Sequence, residues 1–146
     1  MNTYSIVANT TPEAAYAYVA DITTHPEWSP DQMKVEPEQA GPPAVGAKYK
    51  AVGHLVGKPN SSLVEITALT PGRSVTFTAS DSNSKIQHEF TFTKDPNGTR
   101  IDRNVTGIQG PLLFKIIFPI LEPLVIRPGT MKCMGMLKDR LEARTS

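Results

Sequence analysis

Between residues 64 and 106 apolar and polar side chains alternate through four successive runs, a pattern that leaves few folds open. Turn signals separate the runs: Pro71-Gly72, Asp81-Ser82-Asn83 and Pro96-Asn97-Gly98. Consecutive antiparallel hairpins are the natural reading, and they permit a test of register. Setting Ala68 opposite Val75, Ala79 opposite Ile86 and Phe92 opposite Ile101 assigns every residue to a face, because directly opposed side chains share one. One face then collects Val64, Ile66, Ala68, Val75, Phe77, Ala79, Ile86, His88, Phe90, Phe92, Ile101, Arg103 and Val105. The other collects Glu65, Thr67, Ser74, Thr76, Thr78, Lys85, Gln87, Glu89, Thr91, Thr93, Asp102, Asn104 and Thr106. A slip of one residue in any strand would send its apolar set to the wet face, so the separation supports strands and register together.

A sheet with one dry face needs a cover. The chain's tail supplies it, with Met131, Met134, Leu137 or Lys138, and Leu141 recurring at three- and four-residue steps through a helix over 130–144. Leu112 to Ile126 is apolar on nearly all sides, and Pro119, Pro123 and Pro128 predict a kinked or segmented element there. At the other end, Thr3 to Ala8 reads as a strand with Tyr4, Ile6 and Ala8 on one side. A short helix follows, with Thr10 and Thr11 offering cap oxygens, Pro12 in the first turn and Glu13 at the positive end of the dipole. The breaker-rich stretch from Asp21 to Pro30 leaves room for one more helical turn.

The 146 residues make one domain, 1–146, and their formal charge of +1 argues against nucleic-acid binding through phosphate neutralisation. A single cysteine, Cys133, permits no internal disulfide and no thiolate cluster. The first residues lack a basic, then apolar leader, so the expected location is cytoplasmic. The proline-broken Leu112–Ile126 run is too short for a transmembrane segment but leaves peripheral membrane contact open. Oligomeric state is not legible.

The run from Thr11 to Trp28, together with Gly46 before a strand, Thr70-Pro-Gly-Arg73, Gly98-Thr-Arg100 and Leu137-Lys-Asp-Arg-Leu141, resembles the polyketide cyclase/dehydrase branch of the START-like (SRPBCC) superfamily. The resemblance covers essentially the whole chain and rests on structural motifs. It implies an α+β helix-grip (Bet v 1-like) fold: a curved seven-stranded antiparallel sheet around a long C-terminal helix, with a cavity for lipids, sterols, polyketides or other apolar molecules. No cofactor is implied.

Periodicity alone makes the dry face a filled core; the resemblance makes it a cavity wall, with Val75, Phe77, Phe90, Phe92 and Val105 from the sheet and Met131 and Met134 from the helix. Two residues interrupt it. In the register above His88 opposes Val105 and Arg103 opposes Phe90, making them diagonal neighbours. An interior guanidinium must find an anion, several acceptors or water, so Arg103 is a candidate anchor for a ligand's polar end. His88 is a candidate catalytic proton donor or acceptor, or an orienting group. The plainer alternatives are that Arg103 reaches the cavity mouth or pairs with Glu122, and that His88 is a satisfied core histidine. Tyr49 shares a parity with Ala47 and Ala51, which directs its hydroxyl inward or packs it at the sheet edge. Trp28 reads as packing and Asp21 as a cap. His25 and His54 lack ligand-spaced partners, so no metal site is expected.

Three functions remain open: a carrier or sensor of a small hydrophobic molecule, a cyclase or aromatase acting in the same cavity, and a protein-interaction module with a vestigial cavity that docks through Leu112–Ile126.

Overall fold

The computed structural model describes residues 2–29, 32–55, 58–82, 84–109, 116, 119–120 and 122–145. Strand β1 (Asn2–Ala8) leads into helix α1 (Pro12–Ala20) and a 3₁₀ turn (Ile22–Glu27). Six strands follow: β2 (Gln32–Pro37), β3 (Lys48–Leu55), β4 (Lys58–Thr70), β5 (Ser74–Ser80), β6 (Lys85–Asp95) and β7 (Gly98–Gln109). A π-helical turn (Glu122–Ile126) then feeds helix α2 (Arg127–Thr145). The strands form one curved, seven-stranded antiparallel sheet in the order β1-β7-β6-β5-β4-β3-β2.

Local chemistry sets the boundaries. The Thr11 side chain accepts from Ala14 N, Pro12 occupies the first turn of α1, and Asp21 caps the 3₁₀ turn by accepting from Thr23 N. Pro123 falls inside the π-helical turn and Pro128 in the first turn of α2, so the proline-rich stretch is segmented as its sequence predicts. Within Leu112–Ile126, residues 112–115, 117–118 and 121 lie outside the described residues; of the others, Ile116, Ile120 and Leu124 are exposed.

The register places Ala79 opposite Ile86, Phe92 opposite Ile101, His88 opposite Val105 and Arg103 opposite Phe90. One pairing differs from expectation. A bulge between Ile66 and Ala68 inserts an extra residue, so Leu69 and not Ala68 opposes Val75. Ala68 is exposed in consequence, while Leu69 packs against the core. The wet face also departs from expectation at its centre. Thr76 and Thr78 point outward yet are buried, because β5 is a central strand and its short threonines lie between the longer Glu65, Gln87 and Glu89. Elsewhere that face carries polar pairs such as Ser5 with Asp102 and Thr3 with Asn104.

Helix α2 packs nearest to β1, with further contacts to α1 and the 3₁₀ turn. Met134, Leu137 and Leu141 are buried in the core it shares with the sheet. Polar ties fix its position: Glu142 accepts from Asn9 N, Arg140 Nε donates to Glu27 O, and the Arg144 guanidinium lies 4.8 Å from the Tyr18 ring centre. Behind β1, the Thr99 hydroxyl donates to Thr10 O at 2.7 Å. Gly98, at φ +131°, lets Ala8 pass so closely that no side chain fits between them.

Candidate functional site

Cross-strand pairing lays the dry face out in rows. Leu69, Val75, Phe90, Arg103 and Tyr4 form one row across five strands, and Ile66, Phe77, His88 and Val105 form the next. Arg103 and His88 therefore sit diagonally in adjacent rows, and their side chains meet: Arg103 Nη2 lies 3.2 Å from His88 Nδ1. A guanidinium only donates, so Nδ1 is the acceptor, and the neutral imidazole carries its proton on Nε2. Both residues are half-buried, but Arg103 Nε is fully enclosed and has no hydrogen-bond partner among the described residues. The Arg103 guanidinium stacks 5.2 Å from the centre of the Phe90 ring.

The 3₁₀ turn lowers two further rings onto this surface. Phe77 touches both histidines, with His88 stacked at 5.1 Å and His25 tilted at 5.3 Å, while Trp28 meets Phe90 edge-on at 5.8 Å and His25 at 4.7 Å. Trp28 is 1% exposed, and its Nε1–H, like Arg103 Nε, has no partner among the described residues. His25 Nε2 lies 3.0 Å from Val19 O, to which it donates. Its sequence context, a single histidine before a proline, suggested only a turn. The cue that could have found it was Asp21: a cap there starts a turn that folds back over the sheet.

Burial controls the charges. It pushes the His25 imidazole from 6.5 down to about 4, opposed in part by the bond to Val19 and aided by Arg103. Burial also holds His88 well below its usual value, with Arg103 and then His25 adding to the effect. Arg103 is itself lowered by burial and remains the cation of the cluster; the groups that favour its charge are Cys133 and Tyr4. No carboxylate of the described residues forms an ion pair with it. The side chain of Glu122, the partner considered from sequence, lies outside the described residues.

The other expected wall residues are distributed unevenly. Val75, Phe77, Phe90, Phe92 and Met134 are buried, whereas Val105 and Met131 are partly so. Phe92 lies away from the cluster, edge-to-face with Tyr16 at 6.3 Å, beside an open cleft between α1 and β6. Tyr49 is buried in another row, opposite Val64, and burial followed by Asp21 raises its hydroxyl pKa. Side-chain detail at His54 lies outside the described residues. Among the described residues no group of three His, Cys, Asp or Glu side chains is placed to hold a metal ion, and no helix is long and apolar enough to cross a membrane.

The same sheet and gripped helix recur in known proteins. The family model described as polyketide cyclase / dehydrase and lipid transport matches residues 2–117. The chain belongs to that family. Among solved structures, TTHA0849 from Thermus thermophilus superposes with a TM-score of 0.78 at 15% identity, covering 99% of this chain and 98% of that one. The di-domain ARO/CYC protein StfQ from the steffimycin biosynthetic pathway gives 0.77 at 15% identity, with 99% of this chain matching 51% of that one. Ara h 8.0201 gives 0.70 at 15% identity over 97% of each chain. At these identities the likeness establishes the helix-grip fold. No curated protein sequence matches.

Proposed function

We propose that this member of the polyketide cyclase/dehydrase family binds a small hydrophobic molecule, lipid, sterol or polyketide-like, between the sheet and α2. Arg103 and His88 hold its polar end, while Phe77, Phe90, Val75 and Val105 from the sheet and Met131 and Met134 from the helix contact its body. Phe92 and Tyr49 bound the space farther along the sheet. The observation that carries this reading is the buried Arg103 Nε: an apolar face that encloses an unpartnered guanidinium nitrogen is poorly explained as packing alone.

A cyclase or aromatase is the second reading, favoured by the ARO/CYC structures that share the fold. Against it stands the state of His88. Its Nδ1 lone pair is engaged by Arg103 and its Nε2 already holds a proton, so at neutral pH it orients better than it abstracts. Native mass spectrometry of protein purified from its own host, followed by organic extraction, tests the first reading. A retained apolar compound is expected, and bare protein in every preparation would count against it. Under the second, His88→Ala abolishes turnover of a polyketide substrate; under the first it only weakens retention.

A further inference from the structure

Hydrogen-bond capacity around Phe90 is out of balance. Arg103 gives one N–H to His88 and keeps Nε enclosed and unpartnered. That same bond consumes the acceptor nitrogen of His88 and leaves its Nε2 as a donor. Trp28, packed edge-on against the Phe90 ring that Arg103 also covers, contributes a second enclosed N–H without a partner. His25 spends its N–H on Val19 O and is neutral; its remaining acceptor belongs to a ring whose contacts are to Trp28 and Phe77. This end of the interior therefore offers several donors and one full positive charge, with no ion pair to a described carboxylate.

From this balance, and resting on the cavity reading above, we infer that the ligand is an apolar acid whose carboxylate accepts from Arg103 and Trp28 and neutralises the guanidinium. A protonated amine head would bring further donors to donors, and a hydroxyl could accept but would leave the charge uncompensated. An ester or ketone would accept but leave the charge uncompensated. A phosphate monoester would bring close to two negative charges to one cation. A carboxylate supplies a single charge and about four lone-pair sites on two oxygens, the number and sign that are missing here.

Calorimetric titration of the intact chain at pH 7.4 tests this, with dodecanoate and naphthalene-2-carboxylate each compared with its own methyl ester, and dodecyl phosphate included as a dianionic control. The acid of at least one pair should bind about tenfold or more tightly than its ester. Arg103→Met should abolish that preference, bringing the acid-to-ester ratio to about one, and Trp28→Phe should narrow it. Equal binding of acid and ester in both pairs overturns this inference and leaves the cavity reading standing. Tighter binding of dodecyl phosphate than of dodecanoate overturns the carboxylate assignment. If neither pair binds, the cavity reading falls too. Should Arg103→Met fail to fold, the acid-to-ester ratio of the unaltered protein still upholds or overturns the inference.

Discussion

Acid should destabilise this fold through its interior imidazoles before surface carboxylates matter, and His25→Gln isolates the effect. His25 is 3% exposed, with its ring against Trp28 and Phe77. It titrates near 6.5 in an unfolded chain and at about 4 in the folded one. The unfolded state therefore binds the proton more readily. The neutral ring's contribution is intact above pH 6.5 and is lost progressively as pH falls from there toward 4. Arg103 faces the ring and disfavours its protonation, His88 is a neighbour under the same constraint, and Asp21 opposes weakly. At 1.36 kcal/mol for each tenfold change, the His25 term alone removes about 2 kcal/mol of stability between pH 7 and pH 5. Urea unfolding followed by the fluorescence of Trp28, the chain's one tryptophan, reads this directly. Gln can keep a donor toward Val19 O and has no proton to gain, so the variant should lose about 2 kcal/mol less than the parent over the same interval. Equal losses in the two proteins would refute the reasoning.

Gly98→Ala should cost about 3 kcal/mol or more in the same unfolding assay, because the residue sits at φ +131° and a Cβ there would run into Ala8 O and lie 2.9 Å from Asn9 Cα; a loss below about 1 kcal/mol would show that β1 can move aside. Thr99→Val removes the enclosed bond to Thr10 O and should cost about 1 to 2 kcal/mol, with unchanged stability as the contrary result. Arg103→Met should leave stability unchanged or raise it by about 1 to 2 kcal/mol, since a poorly compensated cation is replaced by an apolar chain; a clear loss would mean that the stack on Phe90 and the bond to His88 outweigh desolvation.

Strand pairing was legible because each strand had a polar alternative face on which an error would show. The same reasoning failed at Ala68 and Leu69, where two adjacent apolar residues make a bulge invisible to alternation. It failed differently at Thr76 and Thr78: a period of two gives direction and says nothing about the height of neighbouring side chains. The meeting of His88 and Arg103 followed from register, which is local to two strands. His25 and Trp28 reach the same spot from a turn far away in sequence, and no spacing rule connects them to β5 and β6. Their roles depend on how a 3₁₀ turn folds back, which is a tertiary property.

The strand order has a consequence for biogenesis. Asn2 faces Val105, so β1, once it has left the ribosome, finds its partner only after roughly 100 further residues have been added. At translation speeds of about 5 to 20 residues per second, it waits on the order of 5 to 20 seconds, with both backbone edges available to other nascent chains or to a chaperone.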